Sequence, residues 1–426
     1  MSSWAAPVAA TPVRGHVVVP GSKSASARSL VLAALAEGES VLTGVLQARD
    51  TALMQAGLAT LGAGFRQLAD GRVLVRPARS LTGGGVVDCG LAGTVMRFLP
   101  PLAALASPAT SFTGDEAART RPVAGLLAGL AALGADVSEP HRLPFSVGGG
   151  PGFRGGEVVI DAGASSQYVS ALLLAGPRYP DGLTVSHVGG PLPSVPHIEM
   201  TCALLRRRGV TVQRPAEFTW RVLPGPVRAL DEQVEPDLTN AATLLAAALV
   251  TGGELTTAWP EGSVQAQDAI AGVLSAFGAR IGYTGSGHDR LITVSGVDGV
   301  HGAEVDLHAV SELTPTAAAL AAVADSPSTI SGVAHIRGHE TDRLAALAAE
   351  LSGLGVEAAQ TADGLRLRPG NRHGGVFHTY ADHRLAHAGA LVGLVTPGVE
   401  LDDVGCTAKT MPDFPQRWLQ LVMGAG

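Results

Sequence analysis

The residues best suited to proton transfer in this sequence are its two lysines, Lys23 and Lys409. Lys and Arg together number 30, so the chain otherwise uses arginine for positive charge. An arginine keeps its proton in a protein, whereas the pKa of a lysine moves readily when its ammonium group is buried or crowded by other cations. We therefore predict that both lysines serve in proton transfer or in a compact contact with phosphate.

Lys23 lies in a turn rich in glycine and serine, 20–29, which separates an apolar run from a helical pattern. At the start of a helix, such a turn offers backbone N–H groups, hydroxyls and a cation to an anion. Gly15 lies six residues before Gly21, which does not fit the glycine spacing of a Walker A loop. Ser24 could also do no more than cap the helix, and the sequence leaves both roles open.

Further clusters of cations or hydroxyls stand before other apolar segments. They occupy 89–97, 114–122, 163–168, 312–315, 337–343, 380–384 and 406–413. The N-terminal end of a helix favours an anion, so an arginine there needs another explanation. An anionic ligand would account for Arg121, Arg343 and Arg384, although Arg121 could be a solvated surface residue and Asp342 and Asp382 ordinary caps. The clusters predict substrates that carry phosphate or carboxylate groups.

Composition and charge exclude several classes of protein. A net charge of −7 does not suit a protein that wraps nucleic acid, because such a protein needs a basic surface. The apolar runs are shorter than the roughly 20 residues of a membrane span, and no secretory signal is visible, so we expect a cytoplasmic protein. The three cysteines form no CxxC pair, and the histidine pairs at 335/339 and 383/387 lack the HExxH glutamate. We therefore predict neither disulfides nor a metal site.

An internal repeat organises the chain. A helical phrase that ends in glycine recurs about every 70 residues, at 58–63, 130–135, 204–210, 274–279 and 351–356. Segments with almost no polar face lie between these copies, and such segments predict buried helices. They are 25–37, 93–106, 166–176, 239–251, 315–324 and 383–394. We interpret the repeating unit as βαβαββ, present six times.

Six units predict an α/β protein of two domains with three units each. One domain is discontinuous and comprises 1–20 and 238–426, and the other is inserted at 21–237. The chain would cross between them near 19–22 and 231–238 and form a hinge there, with ligands expected in the cleft between domains. We expect the strand before Pro20 to complete the last unit, near the C-terminus.

In these same segments the sequence resembles the enolpyruvyl transferases, and within that family most closely the EPSP synthases. The motifs that carry the resemblance follow one another along the whole chain as PGSKSASAR, GLAGTVMR, RTRPV, ASSQY, PSVPHIE, ELTP, HETDRL, YADHR and CTAKT. The resemblance implies a two-domain inverse α/β barrel with buried parallel helices. It also implies transfer of the enolpyruvyl group of phosphoenolpyruvate to the 5-hydroxyl of shikimate 3-phosphate, in aromatic amino acid biosynthesis. It implies a monomer that uses no cofactor.

The resemblance further implies a role for each matching residue. The catalytic groups would be Lys23, Glu312 and Glu340. The residues that bind phosphoenolpyruvate would be Lys23, Gly93, Arg121, Gln167, Arg343, Arg384 and Lys409. The residues that bind shikimate 3-phosphate would be Ser24, Arg28, Ser165, Ser166, Gln167, Ser194, Glu312 and His339. In this scheme Glu312 takes the hydroxyl proton, and either Glu340 or Lys23 gives a proton to carbon.

The sequence departs from the family pattern at several positions. Asn is frequent in the family where this chain has Ala27, Leu91, His335 and Ala381, Tyr is frequent at His197, and Lys is frequent at His339. We expect His339 to titrate near the ordinary pKa of about 6.5. If His339 contacts the shikimate ligand as the family lysine does, affinity for shikimate 3-phosphate falls as the pH rises from about 6 to about 8.

Two other functions compete with this interpretation. Transfer to UDP-N-acetylglucosamine is the rival within the family, but 112–125 lack the loop cysteine that is common in that enzyme. A non-catalytic anion-binding scaffold is the rival from another class. The helix starts carry cations, and the isolated carboxylates Glu312 and Glu340 accompany them. This combination favours an enzyme over a non-catalytic scaffold.

Overall fold

The computed structural model describes residues 3–138 and 141–424. The chain divides into two compact units. We call them the discontinuous unit, Met1–Pro20 with Pro236–Gly426, and the inserted unit, Gly21–Glu235. Both contain alternating helices and strands, which confirms the predicted α/β class. No described helix is long and apolar enough to cross a membrane.

Most strands are short. In chain order they are β1 (Trp4–Ala5), β2 (Arg14–His16), β3 (Ser40–Thr43), β4 (Gly64–Gln67), β5 (Val73–Arg76), β6 (Val86–Asp88), β7 (Thr110–Thr113), β8 (Asp136–Val137), β9 (Phe145–Gly148), β10 (Gly156–Ile160), β11 (Leu183–His187), β12 (Val212–Ala216), β13 (Thr219–Val222), β14 (Glu232–Gln233), β15 (Glu254–Ala258), β16 (Arg280–Thr284), β17 (Leu291–Ser295), β18 (Glu304–Asp306), β19 (Ser328–Ser331), β20 (Glu357–Gln360), β21 (Leu365–Arg368), β22 (Gly375–Phe377) and β23 (Val399–Leu401).

The helices connect these strands. They are α1 (Lys23–Ala34), α2 (Arg49–Thr60), α3 (Gly93–Phe98), α4 (Pro100–Ala103), α5 (Ala124–Ala132), α6 (Gln167–Ala175), α7 (Val195–Arg207), α8 (Leu238–Thr251), α9 (Gln267–Ala276), α10 (Thr314–Val323), α11 (Arg343–Gly353), α12 (His383–Gly393) and α13 (Phe414–Met423). Short 3₁₀ helices lie at Glu116–Thr120, Gly176–Arg178, Gly287–Asp289, His308–Leu313, Ala334–Gly338 and Gly405–Lys409.

Within the described residues the strands form six small sheets, five of which repeat one topology. Five of them are four-stranded, in the orders β14-β3-β5-β4, β6-β7-β9-β8, β10-β11-β13-β12, β2-β15-β17-β16 and β18-β19-β21-β20. In each, the first two strands are parallel and an antiparallel hairpin follows. The sixth sheet has the order β1-β23-β22. This is the βαβαββ pattern that the repeat predicts.

The expectation for the strand before Pro20 is wrong. That strand, β2, pairs in parallel with β15, so it supplies the first strand of the unit that contains α8 and α9. The last unit is completed instead by β1, where Trp4 pairs with Leu401. A strand at the edge of a sheet carries no local signal of which sheet it joins, and only the packing decides this.

The central helices are buried on nearly all sides, as predicted from segments with almost no polar face, although α1 and α12 also bury Arg28, Arg384 and His387. Nearly every residue of α1, α6, α8, α10 and α12 is buried. In the discontinuous unit α8, α10 and α12 pack against one another, and in the inserted unit α1, α3 and α6 do so. The predicted helix 93–106 is divided at Leu99, because Pro100 and Pro101 lack the N–H that a continuous helix needs.

The topology also places the starts of these helices. Helix α10 connects the parallel strands β18 and β19, and α12 connects the parallel strands β22 and β23, so each begins at the carboxyl end of the strand before it. In the discontinuous unit α10 follows β18 and α12 follows β22. Side chains just before α10 and α12 therefore lie at corresponding edges of their sheets.

Candidate functional site

A buried guanidinium, that of Arg343, lies at the centre of a charged cluster in the discontinuous unit. Its side chain is 1% exposed and donates to both carboxylate oxygens of Asp382, from Nε at 2.7 Å and from Nη2 at 3.2 Å. Nη2 also donates to Glu340 at 2.9 Å, and Nη1 lies 3.3 Å from Glu312 and 3.1 Å from Nδ1 of His339. Burial alone lowers the pKa of Arg343, but these three carboxylates outweigh it and raise the pKa, so the guanidinium stays charged.

Asp382 has two structural roles. Its side chain is fully buried, and one oxygen caps α12 by accepting a hydrogen bond from the backbone N–H of Arg384 at 2.9 Å. The same carboxylate binds Arg343 with both oxygens. Asp382 therefore does cap α12, but capping is only one of its roles, because the residue also links the start of α12 to the start of α11 through Arg343.

Glu312 joins the cluster from the turn before α10. Its Oε2 accepts from Nε of Arg384 at 2.8 Å as well as from Arg343. Burial raises the pKa of Glu312, but Arg384 and Arg343 lower it more strongly, and the pKa lies well below its ordinary value. Glu312 is therefore a carboxylate at neutral pH, stabilised by two cations.

Glu340 is held between two cations. One oxygen accepts from Arg343, and the other accepts from Nζ of Lys409 at 2.7 Å. Lys409 ends the 3₁₀ helix Gly405–Lys409, and both partners are largely buried. The structure thus brings together the predicted residues Glu312, Glu340, Arg343, Arg384 and Lys409.

The expectation that His339 titrates near its ordinary pKa is wrong. Burial and the neighbouring Arg343 cation lower the pKa of His339 to about 3, and the attraction of Glu312 and Glu340 does not compensate. The ring of His335 lies 5.8 Å away, and burial lowers the pKa of that residue to about 4. His339 is therefore neutral between about pH 6 and pH 8, and its titration supplies no reason for affinity to change in that range.

In the inserted unit, the turn at 20–29 begins a buried helix, as predicted. Ser22 caps α1, since its hydroxyl accepts from the N–H of Ala25 at 3.4 Å. The hydroxyl of Ser24 is therefore not required as a cap. Lys23 is the first helical residue, and its Nζ lies 3.7 Å from a carboxylate oxygen of Asp50 in the first turn of α2.

Arg28 lies one turn further along α1 and is 1% exposed. Its hydrogen bonds go only to neutral groups, namely Thr201 Oγ1 at 2.7 Å, the carbonyl oxygens of Ser24 at 2.9 Å and His197 at 3.1 Å, and Ser170 Oγ at 3.3 Å. Burial lowers the pKa of Arg28 to about 9, and no carboxylate among residues 3–138 and 141–424 pairs with it. A buried cation without a counter-charge is costly, so this position is suited to an anionic ligand.

Two guanidinium groups converge on Gly93 at the start of α3. Arg121 donates to the carbonyl oxygen of Leu91 at 2.9 Å, and Arg97 donates to Oε1 of Gln167 at 2.8 Å. A Cβ atom at Gly93 would lie 3.0 Å from Arg121 and 3.1 Å from Arg97. The predicted residues Gly93, Arg121 and Gln167 are thus neighbours. Leu91 contributes its backbone, so the lack of a polar side chain there does not remove this contact.

The predicted serines lie at two helix starts in the inserted unit. Ser165 accepts from the N–H of Gln167 at 3.3 Å, and Ser166 is buried just before α6. Ser194 precedes α7 in a left-handed conformation with φ of 50°. Helices α6 and α7 also supply the hydroxyls that bind Arg28, so these serines lie on the elements that surround that cation.

Sequence reasoning missed several residues of these clusters. Asp50 lies in the first turn of α2, where a carboxylate is common, and nothing in its local sequence indicates Lys23 as its partner. Arg97 did carry a signal, since it lies one turn into an apolar helix just as Arg28 does. In the described parts of the chain, no three His, Cys, Asp or Glu side chains are arranged to hold a metal ion.

Comparison with known proteins agrees with the architecture. A solved structure of EPSP synthase from Acinetobacter baumannii superposes with a TM-score of 0.80 at 23% identity, covering 98% of this chain and 97% of that chain. The enolpyruvyl transferase NikO from Streptomyces tendae gives a TM-score of 0.76 at 18% identity, covering 97% and 96%. At these low sequence identities, the structural similarity establishes the fold and nothing beyond it. A family model for EPSP synthase (3-phosphoshikimate 1-carboxyvinyltransferase) matches residues 8–418. The chain therefore belongs to the EPSP synthase family of transferases.

Proposed function

We propose that this enzyme transfers the enolpyruvyl group of phosphoenolpyruvate to the 5-hydroxyl of shikimate 3-phosphate and releases phosphate. The observation that carries the proposal is the cluster around Arg343, in which Glu312 and Glu340 are each bound to two cations. An anionic substrate would compete with both carboxylates for these cations. Carboxylates and cations in such contact are suited to proton transfer beside negatively charged substrates.

We assign shikimate 3-phosphate to residues that are mainly in the inserted domain, 21–237. Arg28 supports this assignment, because it is a buried cation whose partners are all neutral. A phosphate group would supply the missing counter-charge. The full proposed set is Ser24, Arg28, Ser165, Ser166, Gln167 and Ser194, with Glu312 and His339 from the discontinuous domain.

We assign phosphoenolpyruvate to the cations at the other helix starts. The proposed set is Lys23, Gly93, Arg121, Gln167, Arg343, Arg384 and Lys409. Support comes from Arg121, whose Nε is buried with no partner among the described residues, and from the two guanidinium groups that meet at Gly93. Because this set draws on both domains, the proposal includes a hinge near 19–22 and 231–238.

The reaction proceeds by addition and elimination. The 5-hydroxyl oxygen bonds to C2 of phosphoenolpyruvate while Glu312 takes the hydroxyl proton, and either Glu340 or Lys23 protonates C3. The tetrahedral intermediate then loses a proton from C3, the C2–O bond to phosphate breaks, and the enolpyruvyl double bond forms. Glu312 is a weak base while it is paired with two arginines, and its basicity rises when substrate anions occupy those arginines.

The test is phosphate release by the purified protein with phosphoenolpyruvate and one of two acceptors. We expect release with shikimate 3-phosphate and none with UDP-N-acetylglucosamine. A Glu312→Gln variant should lose on the order of 10²-fold or more in turnover, the contribution typical of a general base. Release with the sugar nucleotide alone would overturn the substrate assignment, and release with neither acceptor would overturn the catalytic proposal.

A further inference from the structure

The connection from β22 to α12 contains a strained turn. Among the described residues, the non-glycine residues with positive φ are Ser194, Tyr380 and Ala381, and the last two are consecutive with φ of 54° each. A residue with a Cβ atom rarely adopts the left-handed region, because its side chain then crowds the backbone. Two such residues in succession persist only where surrounding contacts hold them.

Two carboxylates from other elements make those contacts. Glu350, on α11, accepts from the hydroxyl of Tyr380 at 2.7 Å and from the N–H of His378 at 2.8 Å. Asp402, just after β23, accepts from the N–H and the hydroxyl of Thr379 at 2.8 and 2.9 Å. Its other oxygen lies 3.0 Å from Nδ1 of His378. The two residues that lead into the left-handed pair, His378 and Thr379, and the first residue of the pair are thus bound from two sides.

The Glu350 contact is unusual for a buried carboxylate. Glu350 is 7% exposed, and the hydrogen-bond donors to its carboxylate are the hydroxyl of Tyr380 and the backbone N–H of His378. No cation of the described residues forms an ion pair with it. Burial of a carboxylate against neutral donors costs free energy, so general stability of the unit does not explain why the carboxylate is there.

The position of Glu350 relates the turn to the charged cluster. Arg343 and Glu350 lie seven residues apart on α11, which is two helical turns, so they share one face of the helix. Arg343 binds Asp382 while Glu350 binds the residues just before it. The N–H of Asp382 also donates to the carbonyl of Thr379 at 2.8 Å. The conformation of the turn therefore sets where Asp382, and Arg384 beyond it, enter the cluster.

We propose that Glu350, Asp402 and Tyr380 are positioning residues that hold the strained turn and thereby place Asp382 and Arg384. The consequence for substrate rests on the proposed function, in which Arg384 binds phosphoenolpyruvate. The conformational part of the inference does not depend on it. These residues touch the turn and act on the reaction only through Asp382 and Arg384.

The experiment is Tyr380→Phe, alone and combined with Ala381→Gly. Loss of one hydrogen bond to a carboxylate should accelerate amide hydrogen exchange at 379–384 about tenfold in the ligand-free protein. The KM for phosphoenolpyruvate should rise about tenfold, while the KM for shikimate 3-phosphate changes less than about twofold. Ala381→Gly should restore much of both properties, because glycine adopts positive φ without a steric cost and the turn then needs less support.

Tyr283→Phe is the matched control. Tyr283 lies in the same unit at 46% exposure against 45% for Tyr380, and its ring packs against Arg290. We expect no change in exchange at 379–384 or in either KM. Unchanged exchange in Tyr380→Phe, or failure of Ala381→Gly to slow it, would overturn the proposal, as would acceleration spread evenly over the unit. If the wild type shows no turnover with the two substrates, the proposed function fails, and the exchange measurements still decide whether the turn is held as proposed.

Discussion

Replacement of Asp382 by Asn tests how much the buried ion pair with Arg343 contributes to the discontinuous unit. Asn has nearly the same size and caps a helix about as well as Asp. The substitution therefore removes the charge while the hydrogen bond to the N–H of Arg384 can persist. The substitution replaces the charged partner of the Arg343 guanidinium, which is 1% exposed, by a neutral one.

The size of the effect follows from burial. Removal of one partner from a buried ion pair costs about 3–5 kcal/mol, because the remaining charge stays in a poorly solvated position. Arg343 keeps Glu340 and Glu312, so we expect the lower end, about 3 kcal/mol. For a unit of this size 1 kcal/mol corresponds to about 2–4 °C in Tm, so the transition should fall by about 6–12 °C.

Scanning calorimetry at pH 7 measures this shift, and Asp342→Asn is the matched control. Asp342 also caps a helix and also pairs with an arginine, Arg337 at 3.0 Å, but its side chain is 41% exposed. An exposed pair contributes no more than about 1 kcal/mol, so its loss should lower Tm by less than about 4 °C. Equal shifts for the two variants would refute the reasoning that burial makes the Asp382 pair strong.

Three further predictions concern the site and the core. Gly93→Ala should raise the KM for phosphoenolpyruvate, because its Cβ would displace Arg121 from 3.0 Å. Gly272→Ala, which has open space around it within α9, should leave this KM unchanged and can only raise Tm, since Ala is favoured over Gly inside a helix. An unaltered KM for both variants would count against the proposed role of Arg121. Burial lowers the pKa of His387 to about 3, so the stability due to its neutral form is present above about pH 6.5 and is lost as the pH falls towards 3. In urea unfolding, His387→Phe should reduce the loss of stability between pH 6.5 and 5 by about 1.5 kcal/mol, and an unchanged pH profile would contradict this. Lys23→Arg keeps the charge but cannot transfer a proton, so steady-state turnover should fall on the order of 10²-fold, and near-normal turnover would eliminate the acid–base role of this residue.

The buried helices could be predicted from sequence because the signal is local. The segments predicted at 239–251, 315–324 and 383–394 are helices α8, α10 and α12, and each is mostly apolar and buried on nearly every side. Arginine at a helix start, against the preference of the helix dipole, was a local signal as well. It singled out Arg343 and Arg384, both of which lie in the charged cluster.

The partners of those residues were not predictable in the same way. Glu340 lies only three residues before Arg343, so that contact is local, but Glu312 and Asp382 are 31 and 39 residues away. Nothing in the local sequence of Glu312 or Asp382 indicates that they meet the same guanidinium. The same limit explains the error for His339, whose pKa is set by burial and by Arg343. A pKa depends on the charges and solvent that surround a group in space.

By itself, the sequence determined the repeat, the buried helices and the residues available for binding anions, because periodicity and residue chemistry act over one or two helical turns. The tertiary structure decided which sheet β2 joins, that Arg28 is buried without a carboxylate partner, and that Lys409 and Arg343 share Glu340. It also decided that Tyr380 and Ala381 adopt left-handed conformations, which two distant carboxylates support. These features depend on groups that are far apart in the chain and are brought within a few ångströms only by packing of the core.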